Sequence, residues 1–118
     1  PETGVILAHL GNGGGAAGDP TTQVRAIQAS TKGNLYVDTS SARSILPRLV
    51  EWAVGEVGAD RILYGTDTPL YQSEMQRARI DHAELTDEQK QLILRENAVA
   101  LLDLPQPPAA DQPGDQDS

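Results

Sequence analysis

The sequence predicts an α/β protein built on parallel strands, and three observations carry that reading. Three short apolar runs alternate with helical patterns along the chain. Each run is continuous rather than alternating, as expected of strands covered on both faces. Each also turns polar at its C-terminal end, the edge of a parallel sheet where ligands and catalytic groups gather. Strand–helix alternation implies right-handed crossovers between the strands. Three strands cannot close a barrel, and an α/β barrel takes about 250 residues. With 118 residues, the chain reads as roughly the last three β/α units of something with more strands. Its open sheet edges call for a cover.

The first strand is Val5-Ile6-Leu7-Ala8, stopped by the glycine-dense stretch Gly11 to Gly18. A helix is expected next, with Asp19 capping its free N–H groups and Pro20 in the first position. Val24 and Ile27 share one face of it, and Gly33 punctuates its end. Asn34-Leu35-Tyr36-Val37-Asp38 is the second strand, on β-branched and aromatic content. Ser44 is the expected cap of a second helix with Pro47 in its first turn. Its apolar positions Leu46, Leu49, Val50, Ala53 and Val57 follow 3.6-residue spacing, and Gly58 closes it. Arg61-Ile62-Leu63-Tyr64 is the third strand, broken by Gly65. A shorter polar helix is read over Gln72 to Arg79. Thr86 and Gln89 form a capping box that opens a last helix with Ile93, Ala100, Leu101 and Leu104 in one stripe.

From Pro105 the composition shifts to proline, aspartate and small residues, so residues 105–118 are expected to be a disordered acidic tail. The net charge of −8 and the lack of any basic stripe argue against nucleic-acid binding. With no Cys, a metal would need His and carboxylate ligands. No apolar run approaches the roughly 20 residues of a membrane span. The chain opens on Pro1 and its single Met is Met75, so the natural start is expected upstream, where a targeting segment could lie. A cytoplasmic location is the expectation for the region in hand.

The first strand ends in His9, the second in Asp38-Thr39-Ser40, the third in Gly65-Thr66-Asp67-Thr68-Pro69. Side by side, these would share one rim. His9, next to glycines that permit close approach, suits acid/base or metal-site chemistry; the alternative is a histidine bonded to nearby backbone. Asp67 suits a divalent-metal ligand or a proton acceptor for metal-bound water; the alternative is an Asp making its own turn before Pro69. Asp38, Thr39 and Ser40 could contact substrate, but capping their loop is the expected role. His82 reads as solvated, and Asn97 as a structural hydrogen bonder.

A competing story comes from the glycines. Gly11-Asn12-Gly13-Gly14-Gly15-Ala16 fits a dinucleotide-binding loop after a strand, and Asp38 ends the next strand, where the acid for the ribose hydroxyls belongs. That reading needs a helix starting inside the motif, whereas Gly18-Asp19-Pro20 places the start later.

Taken together, Val5-Ile6-Leu7-Ala8-His9-Leu10-Gly11, Asn34 to Ser40, Gly58 to Pro69 and Asn97-Ala98 resemble, in that order, the C-terminal part of the amidohydrolase-related metal-dependent hydrolases. That group includes decarboxylases of unsaturated and aromatic acids. The resemblance runs from Val5 to Leu104, so residues 1–104 are expected to be the barrel portion. It implies a TIM-like (β/α)8 barrel, incomplete in this chain, of which these would be strands six to eight. By resemblance His9 is the strand-six histidine of acid/base chemistry, and Asp67 the strand-eight aspartate that binds the metal or orients its water. The implied cofactor is a divalent metal, zinc by expectation, and the implied substrate a small organic acid, hydrolysed or decarboxylated without oxidation. The family's strand-one H-x-H pair and its further metal-binding histidine have no counterpart here. One Asp and one His fall short of the roughly three protein ligands of a catalytic zinc. The chain alone is therefore expected to bind metal poorly, to catalyse nothing, and to be unstable or associate, as a homo-oligomer or as a half-barrel completed by a partner chain.

Overall fold

The computed structural model describes residues 3–13, 18–41 and 46–106. Strands β1 (Val5–Leu7), β2 (Leu35–Asp38) and β3 (Ile62–Leu63) form one parallel sheet in that order. Val5 pairs with Leu35 and Leu7 with Val37, and Val37 pairs in turn with Ile62. Helix α1 (Thr22–Ala29) connects β1 to β2, and α2 (Leu49–Val57) connects β2 to β3. Helix α3 (Ser73–Asp81) follows, then α4 (Asp87–Gln91) and α5 (Asn97–Leu102), joined by one wide π turn over Leu92–Glu96.

The core forms where the helices cover the sheet. Val24 of α1, Ala53 of α2, Ile80 of α3 and Ile93 of the π turn meet Val37 and Ile62 of the strands, each wholly or almost wholly buried. Burial of one such aliphatic side chain is worth about 1.5–3 kcal/mol. With no Phe in the chain, aliphatic packing carries the core.

The expected elements are present, with shifted ends. Helix α1 begins at Thr22 rather than at Pro20: the Asp19 carboxylate accepts the Thr21 N–H (2.8 Å) and hydroxyl (2.6 Å), forming a turn ahead of the helix instead of capping it. Helix α2 begins only at Leu49, because Arg48 holds a left-handed conformation (φ 64°) that the helix cannot include. Leu46 therefore misses the apolar face and is 48% exposed; Ser44 lies outside the described residues. Gly58, at φ 91°, closes α2 as expected. A 3-10 turn over Ala59–Arg61 shortens the third strand to two residues. The Thr86 capping box forms with both hydrogen bonds, to and from Gln89.

Two expectations fail for a physical reason. The last stripe is broken, since Ala100 and Leu104 are exposed while Asn97 is buried. The π turn inserts an extra residue and rotates the following helix off its earlier phase. Burial on both faces holds for β3 but not for β1, where Val5 (42%) and Ile6 (41%) are exposed because the strand pairs only with β2. No helix among the described residues is long and apolar enough to cross a membrane. Of the expected acidic tail, residues 107–118 lie outside the described residues.

Candidate active-site rim

Parallel pairing puts the C-terminal ends of all three strands on one edge, and hydrogen bonds stitch those ends together. Leu10 N–H, just past β1, donates to the Asp38 carbonyl (2.8 Å), and Thr39 N–H donates to the Leu63 carbonyl (3.0 Å). Gly65 N–H then donates to the Thr39 hydroxyl oxygen (3.1 Å). A side chain at Gly65 would sit 3.0 Å from Ser40 Cβ and 3.4 Å from Asp38 Cγ. Glycine lets the ends of β2 and β3 approach this closely without displacing Ser40.

His9 is half-buried and left-handed (φ 69°). Its backbone N–H donates to Asp38 Oδ1 (3.0 Å), and its ring Nδ1 lies 2.8 Å from Ser40 Oγ. The same Asp38 oxygen accepts the Ser40 N–H (3.0 Å) and the Ser40 hydroxyl (2.5 Å). The anticipated loop-capping bonds of Asp38 and Ser40 are thus formed, and they run to His9.

Asp67 is also left-handed (φ 57°) and half-buried. The turn before α3 uses its main-chain carbonyl, which accepts the Leu70 N–H (2.9 Å). The side chain is not spent on that turn, and among the described residues no hydrogen bond reaches its carboxylate. Backbone in this region is uncommon for non-glycine residues and clusters at functional sites. Thr66 and Thr68 bond each other through their hydroxyls (2.8 Å), and the Thr68–Pro69 peptide is cis.

Three positioning side chains escaped the reading of the sequence. Buried Gln23 of α1 donates its amide to the carbonyls of Ala8 (3.3 Å), His9 (2.9 Å) and Asn12 (2.9 Å), gripping the turn that carries His9. From α3, Arg79 donates to the Ser41 carbonyl (2.8 Å) and to Gln76 Oε1 (3.0 Å). Burial lowers the pKa of Arg79. The available signal was a polar residue on a buried helical face: Gln23 beside Val24, and Gln76 one turn before Ile80.

The other singled-out residues fall elsewhere. His82 is exposed at the end of α3, beside an apolar groove of about 360 Å³ that also takes in Leu46 and Met75 but none of the rim residues. Asn97 donates to the Ala59 (2.7 Å) and Ile62 (2.8 Å) carbonyls, the structural role expected of it. For a dinucleotide loop the geometry is poor. Helix α1 starts well beyond Ala16, and one Asp38 oxygen is already taken by three donors. Gly14, Gly15 and Ala16 lie outside the described residues.

A parallel sheet with polar groups drawn to its C-terminal edge defines an α/β protein of the kind that builds active sites at strand ends. The particular family follows from comparison: the amidohydrolase family model matches residues 1–104, and the chain belongs to that family. No curated protein matches it by sequence. Among solved structures it is similar to 2,6-dihydroxybenzoate decarboxylase complexed with 2,6-dihydroxybenzoate (23% identity, TM-score 0.64, covering 86% of this chain and 35% of that one). It is also similar to a dihydroxybenzoic acid decarboxylase from Polaromonas with bound manganese and the inhibitor 2-nitroresorcinol (22%, TM-score 0.63, 85% and 33%). A third is a 5-carboxyvanillate decarboxylase from Novosphingobium aromaticivorans complexed with manganese (17%, TM-score 0.59, 86% and 33%). At these identities the likeness is one of fold. The chain spans about a third of the length of each.

Proposed function

We propose that this chain forms strands six to eight of a (β/α)8 barrel in a metal-dependent enzyme that hydrolyses or decarboxylates a small organic acid. The observation that carries the proposal is the rim itself: the parallel register sets His9 and Asp67 on the same sheet edge, both left-handed and half-buried. Support for the substrate class comes from the neighbours, whose ligands include a dihydroxybenzoate. Asp38 and Ser40 line the same rim, where Ser40 is buried and its first duty is to His9.

The metal implied by the family is zinc by resemblance, and manganese is bound in two of the neighbours. When bound, such an ion polarises substrate oxygens or activates water. No group of three or more His, Asp or Glu among the described residues could hold it. His9 and Asp67 do not make a complete site, so the remaining ligands belong to residues beyond this set. Asp67 would serve as one ligand or as proton acceptor, and the chain by itself would be inactive. In decarboxylation the carbon–carboxylate bond breaks, CO2 leaves, the electron pair stays on carbon, and His9 gives that carbon a proton it has taken up from solvent, returning to its neutral form. In hydrolysis His9 passes a proton from water to the leaving group.

The test is made in the intact enzyme carrying these strands, with 2,6-dihydroxybenzoate as first probe and CO2 release as readout. His9→Asn should lower kcat by about a hundred- to ten-thousand-fold with metal content unchanged. Asp67→Asn should lower metal content and turnover together. Full turnover in both variants would remove the basis of the assignment.

A further inference from the structure

The hydrogen bonds around His9 leave one consistent placement of protons. Asp38 Oδ1 belongs to a carboxylate, which only accepts, and it takes the Ser40 hydroxyl as well as the His9 and Ser40 backbone N–H groups. The Ser40 hydroxyl has a single proton, and that proton points at Asp38. Toward His9 Nδ1, 2.8 Å away, the Ser40 oxygen must therefore accept, and Nδ1 must be the protonated ring nitrogen. Histidine tautomers are set in this way by the partner of one ring nitrogen.

We propose that Asp38 and Ser40 act as a positioning relay that locks neutral His9 as its Nδ1–H tautomer, leaving Nε2 bare as the nitrogen that accepts a proton. The proposal deepens the acid/base role given to His9 and rests on it. A neutral histidine side chain in water prefers the opposite tautomer, with the proton on Nε2, so the relay reverses an intrinsic preference. Its parts are held independently. Ser40 and Thr39 are buried at the end of β2, and Gln23 clamps the main chain on both sides of His9. Among the described residues nothing bonds Nε2. A neutral imidazole fixed this way takes up a proton at Nε2 and passes that proton on, as both the hydrolytic and the decarboxylative step require, and a rotated or tautomerised ring would close that route.

The test reads the tautomer directly and needs no activity, so it can fail while the enzyme assignment stands. The chain is labelled with nitrogen-15 at histidine and observed by two-bond proton–nitrogen correlation on the alkaline side of the histidine titration. Exposed His82, the only other histidine, serves as internal reference for the solvent tautomer, and His82→Gln assigns the signals. The expected result is a protonated, pyrrole-type Nδ1 and a bare, pyridine-type Nε2 for His9, the reverse of His82. Asp38→Asn keeps an oxygen acceptor and should keep this pattern. Asp38→Ala frees the Ser40 proton to turn toward Nδ1 and should switch His9 to Nε2–H, and Ser40→Ala should move it toward the His82 pattern. A His9 signature matching His82 in the unsubstituted chain, or an unchanged signature in both alanine variants, overturns the relay.

Discussion

Asn97 offers the sharpest test of how the last helices are attached. Its amide donates to the carbonyls of Ala59 and Ile62 at 2.7 and 2.8 Å, and the residue is 7% exposed. In Asn97→Ala the two carbonyls fare differently. Ala59 O still accepts the Ile62 N–H of the 3-10 turn, so only the net value of one bond is lost there, about 0.5–1.5 kcal/mol. Ile62 O loses the donor that Asn97 gives it and stays buried, which costs about 1–3 kcal/mol. The expected loss is thus about 1.5–4.5 kcal/mol, a large share of the roughly 5–15 kcal/mol that holds an ordinary domain together. Urea unfolding followed through Trp52, the chain's single tryptophan, measures it as a lower midpoint at unchanged slope. Asn97→Asp should be worse at neutral pH, since it turns an acceptor toward two acceptors. A change within about 0.5 kcal/mol for Asn97→Ala, or equal midpoints for Ala and Asp, would refute the reasoning.

Gln23 obeys the same logic at the rim. Gln23→Glu sets a carboxylate against three carbonyls and should destabilise the chain more than Gln23→Met, with the His9 amide exchanging faster with solvent; equal effects of the two substitutions would contradict the clamp. Asp19 gives a pH dependence. The Thr21 hydroxyl first, and then its N–H, hold the Asp19 carboxyl below its ordinary value of 3.8. A lowered folded pKa means stability that is present above 3.8 and is lost as pH falls through the folded value. Asp19→Asn should therefore flatten the acid limb of a circular-dichroism titration in that window, by a small amount because the group is exposed; an unchanged limb would count against the turn.

The legible parts of the fold are those written in short sequence spans. Thr86 and Gln89 announce a helix start from four residues, and Gly58 announces a stop, because both signals are satisfied within one turn of backbone. Arg48 in a left-handed conformation and the π turn carry no comparable local mark. The π turn exists because of a partner some thirty residues away: Asn97 N–H reaches back to Leu92 O, leaving Ile93 O to accept the Tyr64 N–H at 2.9 Å. The rim shows the same division. His9, Asp38, Ser40 and Asp67 stand out as polar residues ending apolar runs, so their shared edge is readable from strand alternation. That one Asp38 oxygen would gather His9 and Ser40, 29 residues apart in the case of His9, depends on strand register and on Gly65 admitting the approach, which only the folded sheet reveals.

The wide turn at Leu92–Glu96 has a consequence for how this segment tolerates change in length. One surplus residue there acts as a phase shifter, turning the amide of Asn97 inward by about 100°, the angular step of a helical residue. Deleting one residue between Leu92 and Asn97 would make Asn97 the fourth residue after Leu92 in an ordinary helix and keep its amide on β3, whereas winding the same residues into a regular helix would swing the amide away and strand the end of the sheet. Here the irregular helix, rather than the regular one, is the version that fits.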